Sequence, residues 1–215
     1  MEALFNKRFF ITGLLAVFSV FFLGYFTQAD KVNPVFQMLL VMVAFFLVVP
    51  ALYCKIVLKE PLHNMGWQGG NVFAGVFLSL LSLSLGLVIM YGLDRYTSFG
   101  SAYLLPLSIQ TDFLWFLLYE ALMAPLMVLF YEVFFRGFIG LLWLRPLGVV
   151  SILLQAGLFA LMLFVAGDLT ANQVPALIFA PFAGLIAYYS RSVWYSWGAT
   201  WFFFFLIDVY FLISR

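Results

Sequence analysis

The sequence predicts an all-α membrane protein, a polytopic bundle of about seven transmembrane helices. Of its 215 residues, 66% are hydrophobic and only 9% are charged, whereas a soluble domain carries about 25% charged residues. The apolar residues form long continuous runs between polar breaks, without the alternation that is typical of strands. Lipid also accommodates the 28 Phe, 11 Tyr and 6 Trp residues, which exceed what a small soluble core can bury.

Each predicted span is an apolar run close to the ~20 residues that cross the hydrocarbon as a helix. The seven runs are Phe9–Phe26, Val35–Leu58, Val72–Leu93, Asp112–Leu144, Val149–Ala166, Val174–Ser190 and Val193–Ile213. Lys7 and Arg8 precede the first run, and no small-residue cleavage site follows it, so we interpret this run as a retained helix. The fourth run is too long for one straight crossing and contains Pro125, so the sequence leaves open whether 112–144 is one helix or two.

The connection 91–111 is the longest polar break. It contains Tyr96, Phe99 and Tyr103, and we expect a short interfacial helix whose rings rest at the level of the lipid headgroups. Within the third run, the small residues Gly75 and Gly86 and the serines between them predict close helix packing.

The distribution of Lys and Arg predicts the orientation, because these residues accumulate in cytoplasmic loops. With a cytoplasmic N-terminus, the inner positions are Lys7, Arg8, Lys55, Lys59, Arg145 and Arg191. The outer positions are then Lys31, Arg95 and Arg215. This asymmetry favours a cytoplasmic N-terminus in a membrane that we expect to be a bacterial plasma membrane.

Composition excludes several kinds of site. The net charge of +1 provides no field for nucleic acid. A single cysteine, Cys54, and a single histidine, His63, exclude an internal disulfide and any site in one chain that needs two imidazoles or a cysteine cluster. We therefore expect no metal and no cofactor, and we interpret His63, in a polar loop, as solvated.

Ionisable residues inside the spans are the most informative ones, because they are expensive to place in lipid. Glu132 and Arg136 are four residues apart, so they share one face of the fourth helix and can form an ion pair. That pair is either a structural bridge or part of an active site. We interpret Glu120 as a solvated span end and find no local partner for Asp208. Asp168 lies near the end of the fifth run.

Residues 130–137, FYEVFFRG, resemble the Glu-Glu-x-x-x-Arg motif of the CPBP family, the CAAX-prenyl-protease-like and bacteriocin-processing membrane proteins. Residues 157–163, GLFALML, resemble its second motif, Phe-x-x-x-His. Residues 192–194, SVW, resemble the segment before its third motif, His-x-x-x-Asn. The resemblance divides the single domain 1–215 into accessory N-terminal spans, 1–111, and a CPBP-like core, 112–215.

The resemblance implies a degenerate catalytic centre. The motif's second glutamate and its arginine are kept as Glu132 and Arg136, but the first glutamate, the base of active members, falls on Tyr131. The histidine of the second motif falls on Leu163. The third motif falls on Thr200 and Phe204, or in another register on Phe204 and Asp208. Neither register supplies a histidine, and a phenol with a pKa near 10 is a poor base at neutral pH.

Three functions follow as hypotheses. The first is a non-catalytic relative of the intramembrane proteases that binds another integral membrane protein or peptide, as an assembly factor or subunit. The second is an active CPBP-type endopeptidase that uses Glu132 with Asp208 or Glu120. The third is a small-solute or proton-linked transporter that uses Glu132 and Asp208. The lost histidines favour the first hypothesis.

Overall fold

The computed structural model describes residues 7–26, 34–104, 112–166 and 170–214, and over these residues the chain is helical and contains no strand. The predicted all-α class is therefore confirmed. Five helices are long and apolar enough to cross a membrane, and two further apolar helices have 20 and 16 residues. Asp168 and the segment 105–111 lie outside the described residues.

Seven main helices follow the predicted runs to within three residues at each end. Their bounds are Lys7–Phe26 for α1, residues 34–57 for α2, Val72–Tyr96 for α3, Phe113–Trp143 for α4, Val150–Val165 for α5, Val174–Ser190 for α6 and Val193–Ile213 for α7. Polar residues in the breaks begin three of these helices. Asn71, Asp112 and Ser192 each accept a hydrogen bond from a free backbone N–H of the first turn of α3, α4 and α7.

The helices alternate in direction, so their connections gather at two ends of the bundle. At the Lys7 end, the Trp143 indole donates to the carbonyl of Phe9 at 2.9 Å, and Asn71 N–H donates to the carbonyl of Ser190 at 2.7 Å. At the Tyr96 end, Leu104 N–H donates to the Asn172 side chain at 2.9 Å. These bonds satisfy backbone and loop groups that lipid could not satisfy.

The question left open for 112–144 is answered by α4, which is one continuous helix of 31 residues. Its turn Tyr119–Met123 has π-helical winding, in which each carbonyl pairs with the N–H five residues later. Pro125 has no N–H to offer the carbonyl of Glu120. The Trp201 indole of α7 donates to that carbonyl at 2.8 Å instead, and Trp197 donates to the carbonyl of Pro125 at 2.8 Å. Two α7 indoles thus fix α7 against α4.

Two aromatic cores fill the bundle. In one, Phe46 of α2 stacks on Phe134 of α4 with ring centroids 4.2 Å apart. In the other, Phe179 of α6 stacks on Phe203 of α7 at 4.4 Å. The small residues of α3 allow this second core to pack closely, as predicted, because a Cβ on Gly86 would come within 2.9 Å of the Phe203 ring.

The connection after α3 differs from the prediction. A single helical turn, Phe99–Ala102, is present, but Phe99 and Tyr103 are buried against Phe211 of α7 rather than lying at headgroup level. Tyr96 is exposed. The aromatic pattern that predicts an interfacial position is equally consistent with burial against another helix, so the sequence could not separate the two.

Candidate functional site

The i, i+4 pair on α4 forms as predicted. The Arg136 Nε lies 3.4 Å from Glu132 Oε1, and both side chains are almost fully buried. A hydroxyl from α7 completes the group, because Thr200 Oγ1 donates to the same Glu132 oxygen at 3.0 Å. The structure therefore brings together Glu132, Arg136 and Thr200, three of the residues singled out in the sequence. The arrangement neutralises the carboxylate and links α4 to α7.

The Arg136 guanidinium also reaches two other helices. Its Nη2 donates to the carbonyl of Ala180 in α6 at 3.3 Å, and its Cζ lies 5.6 Å from the centroid of the Phe159 ring in α5. Its Nε lies close enough to Glu132 for an ion pair but has no aligned hydrogen bond. Glu132 Oε2 accepts no hydrogen bond from the described residues.

A buried amide beside Arg136 escaped the sequence reasoning. Gln155 of α5 is 1% exposed and donates to the carbonyls of Ile152 and Ala180 at 3.2 and 3.4 Å. Gly184 of α6 provides the space, since a Cβ there would overlap the Gln155 amide nitrogen. Gln155 and Gly184 lie in different helices, and no spacing in the sequence indicates that they are in contact.

The other positions implied by the resemblance carry apolar or aromatic side chains. Leu163 is 3% exposed and lies in the α2–α4–α5 core. Tyr131 packs edge-on against Phe46 and Phe159. Phe204 contacts the neighbouring Phe203 ring at 6.0 Å between centroids. None of these three side chains supplies an imidazole or a carboxylate.

A cavity of about 340 Å³ connects most of these positions, although Leu163 does not line it. Its polar and aromatic walls are formed by Tyr103, Tyr119, Tyr131, Glu132, Arg136, Phe159, Asn172, Gln173, Thr200, Phe204 and Asp208. Leu104 and Asn172, which also line it, are exposed at the Tyr96 end of the bundle. The cavity therefore runs from that end toward the buried Glu132–Arg136 pair.

A second acidic group lies along the same cavity. The Tyr103 hydroxyl donates a short hydrogen bond to Asp208 Oδ1. Burial, and next the Asp208 carboxyl, raise the pKa of Tyr103, so this phenol keeps its proton and remains a donor. Asp208 thus has a partner that the sequence did not reveal, supplied by a loop 105 residues earlier in the chain.

Glu120 belongs to this second group, and its interpretation as a solvated span end was wrong. It is 2% exposed and lies near Asp208. Neither of its oxygens accepts a hydrogen bond from a donor among the described residues. Two buried carboxyl groups with no cation beside them among the described residues are costly to keep within a membrane.

The lone histidine and cysteine lie away from the cavity. His63 is exposed in the turn Leu62–Met65 at the Lys7 end, as expected for a solvated loop residue. Cys54 is buried in α2. Among the described residues, no group of three or more His, Cys, Asp or Glu side chains could hold a metal ion.

Comparison with known proteins adds no assignment. The chain matches no family model, no curated protein and no solved structure.

Proposed function

We propose that this chain is a non-catalytic membrane protein that binds a segment of another membrane protein, with the 340 Å³ cavity as the binding site. The observation that supports this proposal is the state of Glu132. Its Oε1 is held by both Arg136 and Thr200, inside a wall of phenylalanine and tyrosine. A carboxylate held in this way links two helices, and its Oε1 is already occupied by two donors of the chain rather than by a water.

The positions that the CPBP resemblance would make catalytic support the same proposal. Peptide hydrolysis in that family needs a base and strong hydrogen-bond donors that converge on one water. Tyr131 and Phe204, which stand at the altered positions, line the cavity as rings, and Leu163 lies in the core. We infer that a cleft suited to a substrate chain is kept, while the groups that would attack it are replaced.

The cavity walls fit an apolar segment. Five aromatic side chains line it, namely Tyr103, Tyr119, Tyr131, Phe159 and Phe204, and its volume lies in the range of pockets that bury a ligand of moderate size. Large side chains projecting from a partner's helix could fill this space. The partner would act as the client of an assembly factor or as a neighbouring subunit.

The proposal includes a location, which we infer from charge alone. The N-terminus and the Lys7 end face the cytoplasm of a bacterial cell, and the cavity then opens on the outer side. A single cysteine placed at Lys59 or at Tyr96, with Cys54→Ser as background, tests this in intact cells. The orientation requires that a membrane-impermeant maleimide labels position 96 and spares position 59.

Site-specific photocrosslinking tests the binding function. A benzophenone amino acid at Phe204, which lines the cavity, should crosslink one membrane partner at high yield in native membranes. The same amino acid at Phe202, which is exposed on another face of α7, is the matched control and should not crosslink that partner.

Peptidase assays supply the outcome that would overturn the proposal. Prenylated and leader-type peptides should remain intact with the purified protein. Cleavage by the wild type that Glu132→Gln abolishes, in a variant that stays folded, would assign the chain to active endopeptidases instead. The transporter hypothesis remains a prediction that solute flux in reconstituted vesicles can test.

A further inference from the structure

Acidic side chains outnumber basic ones in and beside the cavity. Glu132 is paired with Arg136, the one basic side chain among the lining residues. Asp208 and the neighbouring Glu120 have no cation of their own within the described chain. Acidic side chains without a counter-ion are costly in a region with little water.

Two sets of carboxyl oxygens in this region also lack donors. Both oxygens of Glu120 and the Oε2 of Glu132 accept no hydrogen bond from the described residues, although these side chains are only 2% and 1% exposed. Leaving a buried carboxyl oxygen without a donor is energetically costly. Glu132 lines the cavity itself, so a ligand there can supply the missing donor.

The rest of the wall is suited to a cation. Tyr119, Tyr131, Phe159 and Phe204 present rings to the cavity, and aromatic faces attract ammonium groups within about 6 Å of the ring centre. An ammonium group also offers three N–H donors and no acceptor. It can therefore donate to the carboxyl oxygens that lack a donor, and it can act as the counter-ion that Asp208 and Glu120 lack among the described residues.

We infer that the cavity binds a single ammonium group attached to an apolar body, with the ammonium at the Asp208–Glu120 pair and the apolar body against the aromatic wall. This inference goes beyond the proposed function, because it names the chemistry that is recognised. The ammonium can belong to a free amphipathic amine or to a lysine of a partner's membrane segment.

Binding of small probes tests the inference independently of any protein partner. Protein in neutral nanodiscs is titrated with 2-phenylethylamine, which is cationic at pH 7, with the neutral 2-phenylethanol and with the anionic phenylacetate. Isothermal calorimetry should give at least about tenfold tighter binding for the amine than for the alcohol, a difference of about 1.4 kcal/mol. Phenylacetate should bind weakest of the three.

The variants identify where the charge is recognised. Either single substitution, Glu120→Gln or Asp208→Asn, leaves one carboxylate in place, so the double variant is the decisive one and should lose the preference for the amine. Asp94→Asn is the matched control, because Asp94 also accepts a tyrosine hydroxyl, from Tyr210, but lies outside the cavity. It should keep the preference in full.

Chemical labelling keeps the test valid if the double variant does not fold. A hydrophobic carbodiimide should modify Glu120 or Asp208 in the wild type, and 2-phenylethylamine should protect that residue from modification. Equal binding of amine and alcohol, a preference that survives in the double variant, or labelling that the amine does not reduce would each overturn the inference.

The crosslinked partner then distinguishes the two sources of the ammonium group, a free amine and a lysine of the partner. If its contact segment contains a lysine, replacing that lysine with methionine should abolish crosslinking from Phe204. If crosslinking persists, the site serves a free amine. A partner that is never found would count against the proposed function but leave the probe results unaffected.

Discussion

Glu120 and Glu132 lie twelve residues apart on the same helix, about 18 Å along its axis, and both are buried. Glu132 has its cation one turn away on the same helix and a hydroxyl from α7. Among the described residues Glu120 has no cation; it lies near a second carboxyl group, Asp208, which accepts a hydrogen bond from Tyr103 in the connection between α3 and α4. One acid is therefore paired within its own helix, whereas the surroundings of the other are set by the tertiary fold.

The largest expected effect comes from removing the cation of the neutralised site. Arg136→Leu keeps the volume but leaves Glu132 charged and unpaired, and breaking a buried pair in this way costs about 3–5 kcal/mol. We expect a large drop in the thermal unfolding temperature in mild detergent. Replacing both partners, as Glu132→Gln with Arg136→Gln, should recover much of the loss, because no buried charge is then left alone.

Arg145→Leu is the control for this prediction. Arg145 is exposed in the connection after α4, and its replacement should hardly change the unfolding temperature. An Arg136→Leu protein as stable as the Arg145→Leu protein would mean that the ion pair does not hold α4 in the bundle.

The hydrogen bond from Tyr103 to Asp208 gives an effect of intermediate size. Tyr103→Phe removes a donor from a buried carboxyl group, and we expect a loss of about 1–3 kcal/mol in the free energy of unfolding. Tyr210→Phe removes the equivalent bond to Asp94, at 2.6 Å but exposed, where water replaces the donor. Equal unfolding temperatures for the two variants would contradict the buried position of Tyr103.

The same contrast explains what the sequence could predict. All seven helices and the Glu132–Arg136 pair follow from local rules, because apolar run length and the four-residue spacing are visible along the chain. The Tyr103–Asp208 bond and the burial of Glu120 depend on where a loop between α3 and α4 lies against α7. That placement is decided by packing between distant segments, and nothing near Glu120 distinguishes a buried carboxyl group from one at a span end.

The smallest expected effect is also the sharpest test of the comparison. Glu120→Gln should change the free energy of unfolding by less than about 1 kcal/mol, because Glu120 has no cation to lose among the described residues and the carboxamide N–H can donate to the nearby Asp208. Glu132→Gln makes the same chemical change on the same helix but leaves the Arg136 guanidinium buried without its counter-ion. It should therefore cost about 3–5 kcal/mol. Parallel thermal unfolding of the two variants measures this difference. Equal destabilisation would show that Glu120, like Glu132, is balanced by a cation, one that lies outside the described residues.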